Sequence, residues 1–185
     1  KMTRKYELNQ IEVSIILPIL NEKKYIRQTI ESILNQDYPS EKYELLIADG
    51  GSIDGTLDVI NSYSSHCSSI KLIHNPFTIL SFGFNIALNR SKGNIIIIMG
   101  GHSEIPENYI SRCSELIKTK DLSIVGGITD TVSHGIIGKN ISRAQSSYFG
   151  VGNVKFRSKI LKEGCYVDTL AFAAYKRELF MEIGG

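Results

Sequence analysis

Residues 93–102 read GNIIIIMGGH. Four consecutive isoleucines and Met99 make a short run that is apolar at every position. Such a β-branched run predicts a strand covered on both faces, as the central strands of parallel sheets are. It halts at Gly100-Gly101-His102, and ligands in open α/β sheets bind just beyond the carboxyl ends of such strands. Paired glycines also serve tight turns for backbone reasons alone. Position therefore marks residues 100–102 as a candidate site, while composition withholds the carboxylate that would strengthen it.

On the N-terminal side of this run, Val13–Pro18 (VSIILP) predicts a first strand closed by Pro18, because proline cannot donate to a ladder. A helix is expected from about Lys24 to Asn35, where Ile26, Ile30, Ile33 and Leu34 recur at helical spacing. Tyr43–Asp49 (YELLIAD) predicts the second strand, turned by Gly50-Gly51, with Asp54-Gly55-Thr56 leading into a helix through Leu57 and Ile60. Ile70–His74 is a third strand ended by Asn75-Pro76, and a helix over about Ser81–Arg90 leads back to the isoleucines. Beyond them, Pro106 marks a helix entrance before the Ile110, Cys113, Leu116, Ile117 stripe, and Leu122–Val125 predicts a further strand. Repeated strand–helix units imply parallel pairing and right-handed crossovers, hence a three-layer α/β/α sandwich on a mainly parallel sheet. After residue 128 the rhythm fails. A short helix near Ile141–Tyr148, a return strand over Val167–Tyr175 and a helix over Lys176–Ile183 are expected there, before the sequence stops at Gly184-Gly185. Residues 1–10 are polar and aperiodic and predict a flexible leader.

The 185 residues suit one well-cored domain. A hydrophobic share of 42% with 22% charged residues is ordinary for a globular protein. A net charge of +2 without a Lys/Arg block argues against a nucleic-acid partner. No apolar run is long enough for a membrane span, and no tripartite signal peptide opens the chain. Cys67, Cys113 and Cys165 are odd in number and far apart, which predicts free thiols rather than a disulfide framework or a zinc site.

The strand ends bring three polar pairs to one edge: Asn21/Glu22, Asp49/Ser52 and His102/Glu104. Asp49 is the most informative, since a strand-end carboxylate before Gly-Gly-Ser can accept from the N–H of a uracil or the hydroxyls of a ribose, and the glycines allow a planar base to approach. The same residue type also caps turns. Ser52 and Asp54 read chiefly as turn and cap residues. The absence of GxGxxG after the first strand, of GxxxxGK[ST] and of GxSxG argues against dinucleotide, P-loop and hydrolase sites. His66 and His74 fall in or beside polar connections, and His134 in a glycine-rich loop.

Taken together, VSIILPILNEKKYIRQTIESILNQDYP, ELLIADGGSIDGT and SKGNIIII closely resemble the nucleotide-binding half of inverting family-2 glycosyltransferases of the GT-A fold. VGGITDTVSHGIIGKNISRAQSSYFGVGNVKFR and YVDTLAFAAYKRELFMEIGG are similar to succinoglycan-type exopolysaccharide glucosyltransferases, relatives of the cellulose-synthase-like group. The resemblance covers residues 11–185 and implies a nucleotide-binding half over 11–128 and an incomplete donor-sugar and acceptor half over 129–185. It further implies a nucleotide-diphosphate sugar donor, most often UDP-linked, and an inverting transfer to a growing, commonly lipid-linked glycan. By this likeness Pro18, Leu20 and Glu22 border the nucleoside, Asp49 and Ser52 sit at the base or ribose, and Ala171–Tyr175, with Ala173 at its centre, lines the donor sugar. Gly100, Gly101 and His102 stand where relatives carry the DXD motif, at which Mn²⁺ or Mg²⁺ bridges a carboxylate and the diphosphate.

Two departures qualify these expectations. The motif begins with Gly100 where the subfamily has Asp, leaving His102 as the metal-ligand candidate, although hard Mg²⁺ and Mn²⁺ prefer oxygen. Residues 76–89 also lack the basic residue that relatives often place near the phosphates. Relatives take their general base from a segment that would follow Gly185, so no catalytic residue is assigned within this sequence, and only Asp168 is available as a substitute. The resemblance therefore implies the donor-binding portion of a longer transferase, working in the cytoplasm at the inner face of the membrane through anchoring segments outside this sequence. A degenerate nucleotide-sugar or glycan-binding module is the alternative that Gly100 favours. A nucleotidyltransferase would carry a glycine-rich basic signature that PILNEKK lacks.

Overall fold

The computed structural model describes residues 11–130, 164–167, 170 and 172–184. The chain falls into two compact units, residues 1–125 with 173–185, and residues 126–172. In the second, Gly126 lies so close to the Phe172 carbonyl that a side chain there would meet it at 2.9 Å.

The first unit is built on a sheet that, among the described residues, has six strands in the order β3-β2-β1-β4-β6-β5. These are β1 (Val13–Ile19), β2 (Tyr43–Asp49), β3 (Ile70–His74), β4 (Ile95–Ile98), β5 (Ile124–Val125) and β6 (Ala174–Lys176). The first four pair in parallel, with Val13 opposite both Tyr43 and Ile95, and Asp49 opposite His74. β6 runs antiparallel between β4 and β5. The helices are α1 (Ile26–Leu34), α2 (Thr56–Ser64), α3 (Leu80–Arg90), α4 (Tyr109–Thr119) and α5 (Arg177–Ile183). Apolar side chains of α1, α2 and α4 (Ile26, Ile30, Ile33, Ile60, Ile110, Cys113, Ile117) bury one sheet face with Ile15, Leu17, Leu45, Ile47 and Ile97. Ala87 and Leu88 of α3 and Phe180 of α5 bury the other, with Ile16, Leu46, Ala48, Ile73 and Ile96. Two buried clusters on opposite faces of one sheet make the three-layer architecture read from the sequence. Each buried isoleucine contributes about 1.5–3 kcal/mol by leaving water.

Pro18 does not end β1. The strand continues to Ile19, because the ladder to β4 stops at the Ile16–Ile98 pair while the ladder to β2 runs on to Ile19–Asp49. The missing N–H falls where pairing is one-sided, the edge-like position that proline tolerates. The return strand is shorter than the apolar pattern predicts, Ala174–Lys176, and α1 begins later than expected, at Ile26. The final helix ends at Ile183 and is closed by Gly184, whose φ of +84° is the left-handed cap that glycine supplies. Gly185, the leader over residues 1–10 and the helix expected near Ile141–Tyr148 lie outside the described residues.

Candidate functional site

Parallel pairing sends the loops after β1, β2, β3 and β4 off the same rim of the sheet. In the loop after β1, Asn21 takes a φ of 56°, a left-handed conformation that asparagine tolerates better than most residues. This turn directs its backbone N–H to Ser52 Oγ (2.8 Å), while its Oδ1 accepts the N–H of Ile53 (2.9 Å). The next two residues continue the join. The Glu22 N–H donates to Thr56 Oγ1 (2.9 Å) and the Lys23 N–H to Asp54 Oδ2 (3.1 Å). These bonds clasp the β1 loop to the β2 loop, although Asn21 and Ser52 stand 31 residues apart in sequence.

Asp49 anchors the β2 side of the clasp. It is buried, at 4% exposure. Its Oδ2 accepts the N–H groups of Gly51 (2.9 Å) and Ser52 (3.0 Å), and its Oδ1 accepts the Ser52 hydroxyl. Gly51 has a φ of +96°, which suits a residue without Cβ and lets both amides face the carboxylate. With three acceptor positions filled out of about four, the carboxylate keeps capacity for one further donor. The β3 loop closes against this corner. Asn75 donates its N–H to the Asp49 carbonyl (2.8 Å), and a side chain on Gly50 would come within 3.3 Å of Thr78 Cα. Asp54 acts as a cap: its Oδ1 accepts the N–H and hydroxyl of Thr56, and that hydroxyl contact first, then the amides, holds its carboxyl below the usual range.

At the end of β4 the chain is pressed onto the β1 loop. Thr29 of α1 donates its hydroxyl to the Gly101 carbonyl (3.0 Å). A side chain on Gly101 would lie 2.8 Å from both Glu22 Cγ and Ile19 Cγ2, so any other residue there would have to push those side chains aside. His102 Nδ1 lies 2.8 Å from Glu22 Oε1. Because a carboxylate only accepts, Nδ1 carries the proton of this bond. The Tyr25 ring stands edge-on to the imidazole at 6.5 Å between centroids, and Lys24 Nζ sits 4.8 Å from the Tyr25 centroid.

The structure thus brings Glu22, Asp49, Ser52, Gly101 and His102 into one line of contacts, from Asp49 through Ser52 and Asn21–Glu22 to His102. Leu20 is part-exposed on the same rim, and Gly100 accepts the Ser103 N–H. Pro18 packs toward α3, where a side chain on Gly83 would meet its Cβ at 3.4 Å. Ala173 is fully buried beside β4, its carbonyl accepting the Ile98 N–H (3.1 Å). His66 is exposed in the turn after α2, and His74 is the exposed last residue of β3, opposite Asp49. His134, Asp168 and Ala171 lie outside the described residues, as does Gly185, beyond which the general base is expected. Sequence reading names Thr56, Asn75 and Lys24 only as bounds of elements and does not single out Tyr25. Of these, only Asn75 carries a local signal, its place before a proline at a strand end.

The donor set does not fit a stand-alone Mn²⁺ or Mg²⁺ site. Among the described residues no three His, Cys, Asp or Glu side chains come together to hold a metal ion. Within Gly100–His102 the metal-ligating side chain is an imidazole, with the carboxylate of Glu104 two residues further on and exposed, and hard cations favour carboxylate oxygens.

The family model for glycosyl transferase family 2 matches residues 14–184. The chain belongs to glycosyl transferase family 2. Among its relatives is the dolichyl N-acetyl-alpha-D-glucosaminyl phosphate 3-beta-D-2,3-diacetamido-2,3-dideoxy-beta-D-glucuronosyltransferase of Methanococcus voltae. That protein is 32% identical over 177 residues, covering 92% of this chain and 54% of the relative. The succinoglycan biosynthesis protein ExoA of Rhizobium meliloti is 27% identical over 181 residues, 97% of this chain and 54% of that protein. This family-2 chain therefore spans about half the length of the curated relatives it matches. Among solved structures, the mannosyltransferase PcManGT of Pyrobaculum calidifontis, in complex with GDP-Man and Mn²⁺, superimposes with a TM-score of 0.68 at 20% identity. The match covers 94% of this chain and 47% of that one, and it shows the shared GT-A architecture. Among the described residues no helix is long and apolar enough to cross a membrane.

Proposed function

We propose that this family-2 chain is the donor-binding part of a glycosyltransferase that moves a sugar from a nucleotide-diphosphate sugar, with UDP the first nucleotide to test, onto a growing lipid-linked exopolysaccharide or cell-surface glycan, inverting the sugar carbon. The observation that carries this reading is the continuous line of contacts from Asp49 to His102 along the rim that parallel pairing creates. Asp49 at one end has one acceptor position left for a base or ribose donor. His102 and Lys24 at the other meet the phosphates, and Pro18, Leu20 and Ser52 flank the nucleoside between them. Ala173 sits with the strand that backs the donor sugar. The base that deprotonates the acceptor hydroxyl belongs, on this reading, to the half of the relatives' length that this chain does not span, in a segment following Gly185. The same unspanned half would supply the segments that hold the protein at the cytoplasmic face of the membrane. The lipid-linked acceptor is suggested by the name of the Methanococcus relative.

The test is calorimetric titration with UDP and GDP. The chain is expected to bind one of them, and Asp49→Ala to abolish that binding while leaving the far-UV circular dichroism unchanged. Unaltered affinity in Asp49→Ala would remove Asp49 from the nucleoside end. Gly100 favours a second reading, a binding module without turnover. Release of free nucleotide from UDP- or GDP-sugars by the natural polypeptide would eliminate it.

A further inference from the structure

In the loop between β3 and α3, Thr78 takes a φ of 61°, and a β-branched residue in the left-handed region is a steric outlier. Three residues before it, the polar side chain of Asn75 is buried, at 2% exposure. The two belong to one device. Asn75 Oδ1 accepts the N–H of Phe77 (3.2 Å), and Nδ2 donates to the carbonyl of Ile79 (2.9 Å). One side of this group therefore needs an acceptor and the other a donor, which a carboxamide supplies and a carboxylate does not. The amide closes residues 75–79 into a ring with Thr78 in its bend. Pro76 inside the ring has no N–H to satisfy and disfavours a helical turn at Asn75. The Ile79 carbonyl also accepts the Gly83 N–H (3.1 Å), which ties the ring to the first turn of α3. Gly83 leaves the amide its room, since a Cβ there would lie 2.9 Å from Asn75 Nδ2. Phe77, Ile79 and Leu80 are each more than half exposed, so apart from the contact of the Phe77 and Phe82 rings their packing gives the loop little hold. The amide supplies it.

The ring bears on the Asp49 corner of the rim. The Asn75 N–H donates to the Asp49 carbonyl (2.8 Å), and Thr78 Cα and the Thr78 carbonyl oxygen lie 3.3 and 3.4 Å from where a Cβ on Gly50 would stand. From the other side Gly50 is held by its own N–H on the Ile19 carbonyl (2.9 Å). Gly50 opens the loop whose amides at Gly51 and Ser52, and whose Ser52 hydroxyl, are gathered by the Asp49 carboxylate. Thr78 relaxing out of its left-handed bend would draw the ring off Gly50 and leave that loop unsupported on one side. Strain of this kind persists only where surrounding contacts over-determine it, and it collects at sites that must keep one geometry. We propose that Asn75 is a positioning residue for the nucleoside end of the site: by holding Thr78 in its left-handed bend against Gly50, it keeps the Asp49–Ser52 loop in the geometry that receives the nucleoside. The proposal rests on the nucleotide-sugar reading above and adds to it a buried residue that acts through Thr78 and Gly50.

The experiment is calorimetric titration of the full 185-residue chain and its variants with UDP and GDP, each variant also melted thermally so that affinity and stability are read apart. Asn75→Asp keeps the acceptor for Phe77 but sets an oxygen against the Ile79 carbonyl. It should weaken the nucleotide by about tenfold at temperatures where the chain is still folded. Adding Thr78→Gly to it should recover about fivefold of that loss, because glycine takes the left-handed bend without being held there. Gly50→Ala reaches the same contact from the opposite side with every hydrogen bond intact, and should weaken binding in the same sense. It decides the outcome if Asn75→Asp does not fold. An Asn75→Asp chain that melts earlier yet binds with unaltered affinity would show a purely structural role and overturn the proposal. So would a double variant no tighter than Asn75→Asp, or unaltered affinity in Gly50→Ala. Each of these leaves the nucleotide-sugar reading standing, provided that Asp49→Ala abolishes binding. No binding of either diphosphate by the unaltered chain would overturn that reading, and the proposal with it.

Discussion

Gly93 is the position where one methyl group should do most damage. A Cβ there would lie 2.6 Å from Ser14 N and from the Val13 carbonyl carbon, backbone atoms of the central strand that cannot step aside. The residue is held in that place from three directions. Its N–H donates to Ser14 Oγ (2.8 Å), its carbonyl accepts Arg177 Nε (2.7 Å), and the neighbouring Lys92 N–H reaches the buried carboxylate of Glu44 (2.6 Å). Gly93→Ala is therefore expected to destabilise the fold by about 3 kcal/mol or more, measured by urea unfolding. A loss below about 1 kcal/mol would mean that β4 can slide along β1. Gly101 has the same kind of constraint at the other end of β4, but there the neighbours are side chains of Glu22 and Ile19. A substitution at Gly101 would move the orienting carboxylate of the site before it moved the sheet.

β1 is extended backwards by Glu12, which donates its N–H to the Lys42 carbonyl and accepts the Ile95 N–H on its own carbonyl. Its carboxylate gathers Lys118, Lys42 (2.7 Å) and Tyr38 (2.8 Å), so α4 and the connection leading into β2 converge on the start of the strand. Lys118 first, then Lys42 and the Tyr38 hydroxyl, draw the Glu12 carboxyl from an ordinary 4.5 down to about 2. A carboxyl that stays ionised in the folded chain but protonates near its ordinary value when unfolded stabilises the fold above that value. The contribution is lost as pH falls through the window from 4.5 to about 2. Glu12→Gln should accordingly lower stability at neutral pH and flatten the acid limb of the stability profile over that window, read from thermal melts at successive pH values. An unchanged acid limb would show that other carboxylates govern it. The elements themselves were largely legible, because β1, β2 and β4 are apolar on both faces and α1 and α4 carry clean helical stripes. Their ends were less so: Pro18 reads as a stop until the unequal lengths of its two ladders are known. The clasp was not legible at all. Asn21 meets Ser52 and Glu22 meets His102 only because the sheet sets distant loops side by side, and no local pattern encodes that adjacency.

At the scale of the molecule, the strand order carries an interruption. β5 follows β4 in sequence with α4 between them, yet β6 stands between the two in the sheet. Ala174 and Tyr175 pair with β4 on one side and with β5 on the other. The rim proposed to hold the nucleoside, by contrast, is formed among the described residues by the loops after β1 to β4, so its loops could be read from the first half of the sequence while the sheet order could not. A chain ended after residue 128 would leave the inner edge of β4 bare. Unpaired apolar edges recruit other strands. Such a chain is expected to self-associate in size-exclusion chromatography, where the full 185 residues run as a smaller species. A truncated chain of the same apparent size would show that β6 is not needed to protect β4. The same arrangement sets a timetable in the cell. At translation speeds of about 5–20 residues per second, several seconds separate the emergence of β4 from the ribosome and the arrival of the strand that shields it. Throughout that interval the nascent polypeptide offers chaperones, or a neighbouring copy on the same messenger, a row of isoleucines with one edge unpaired.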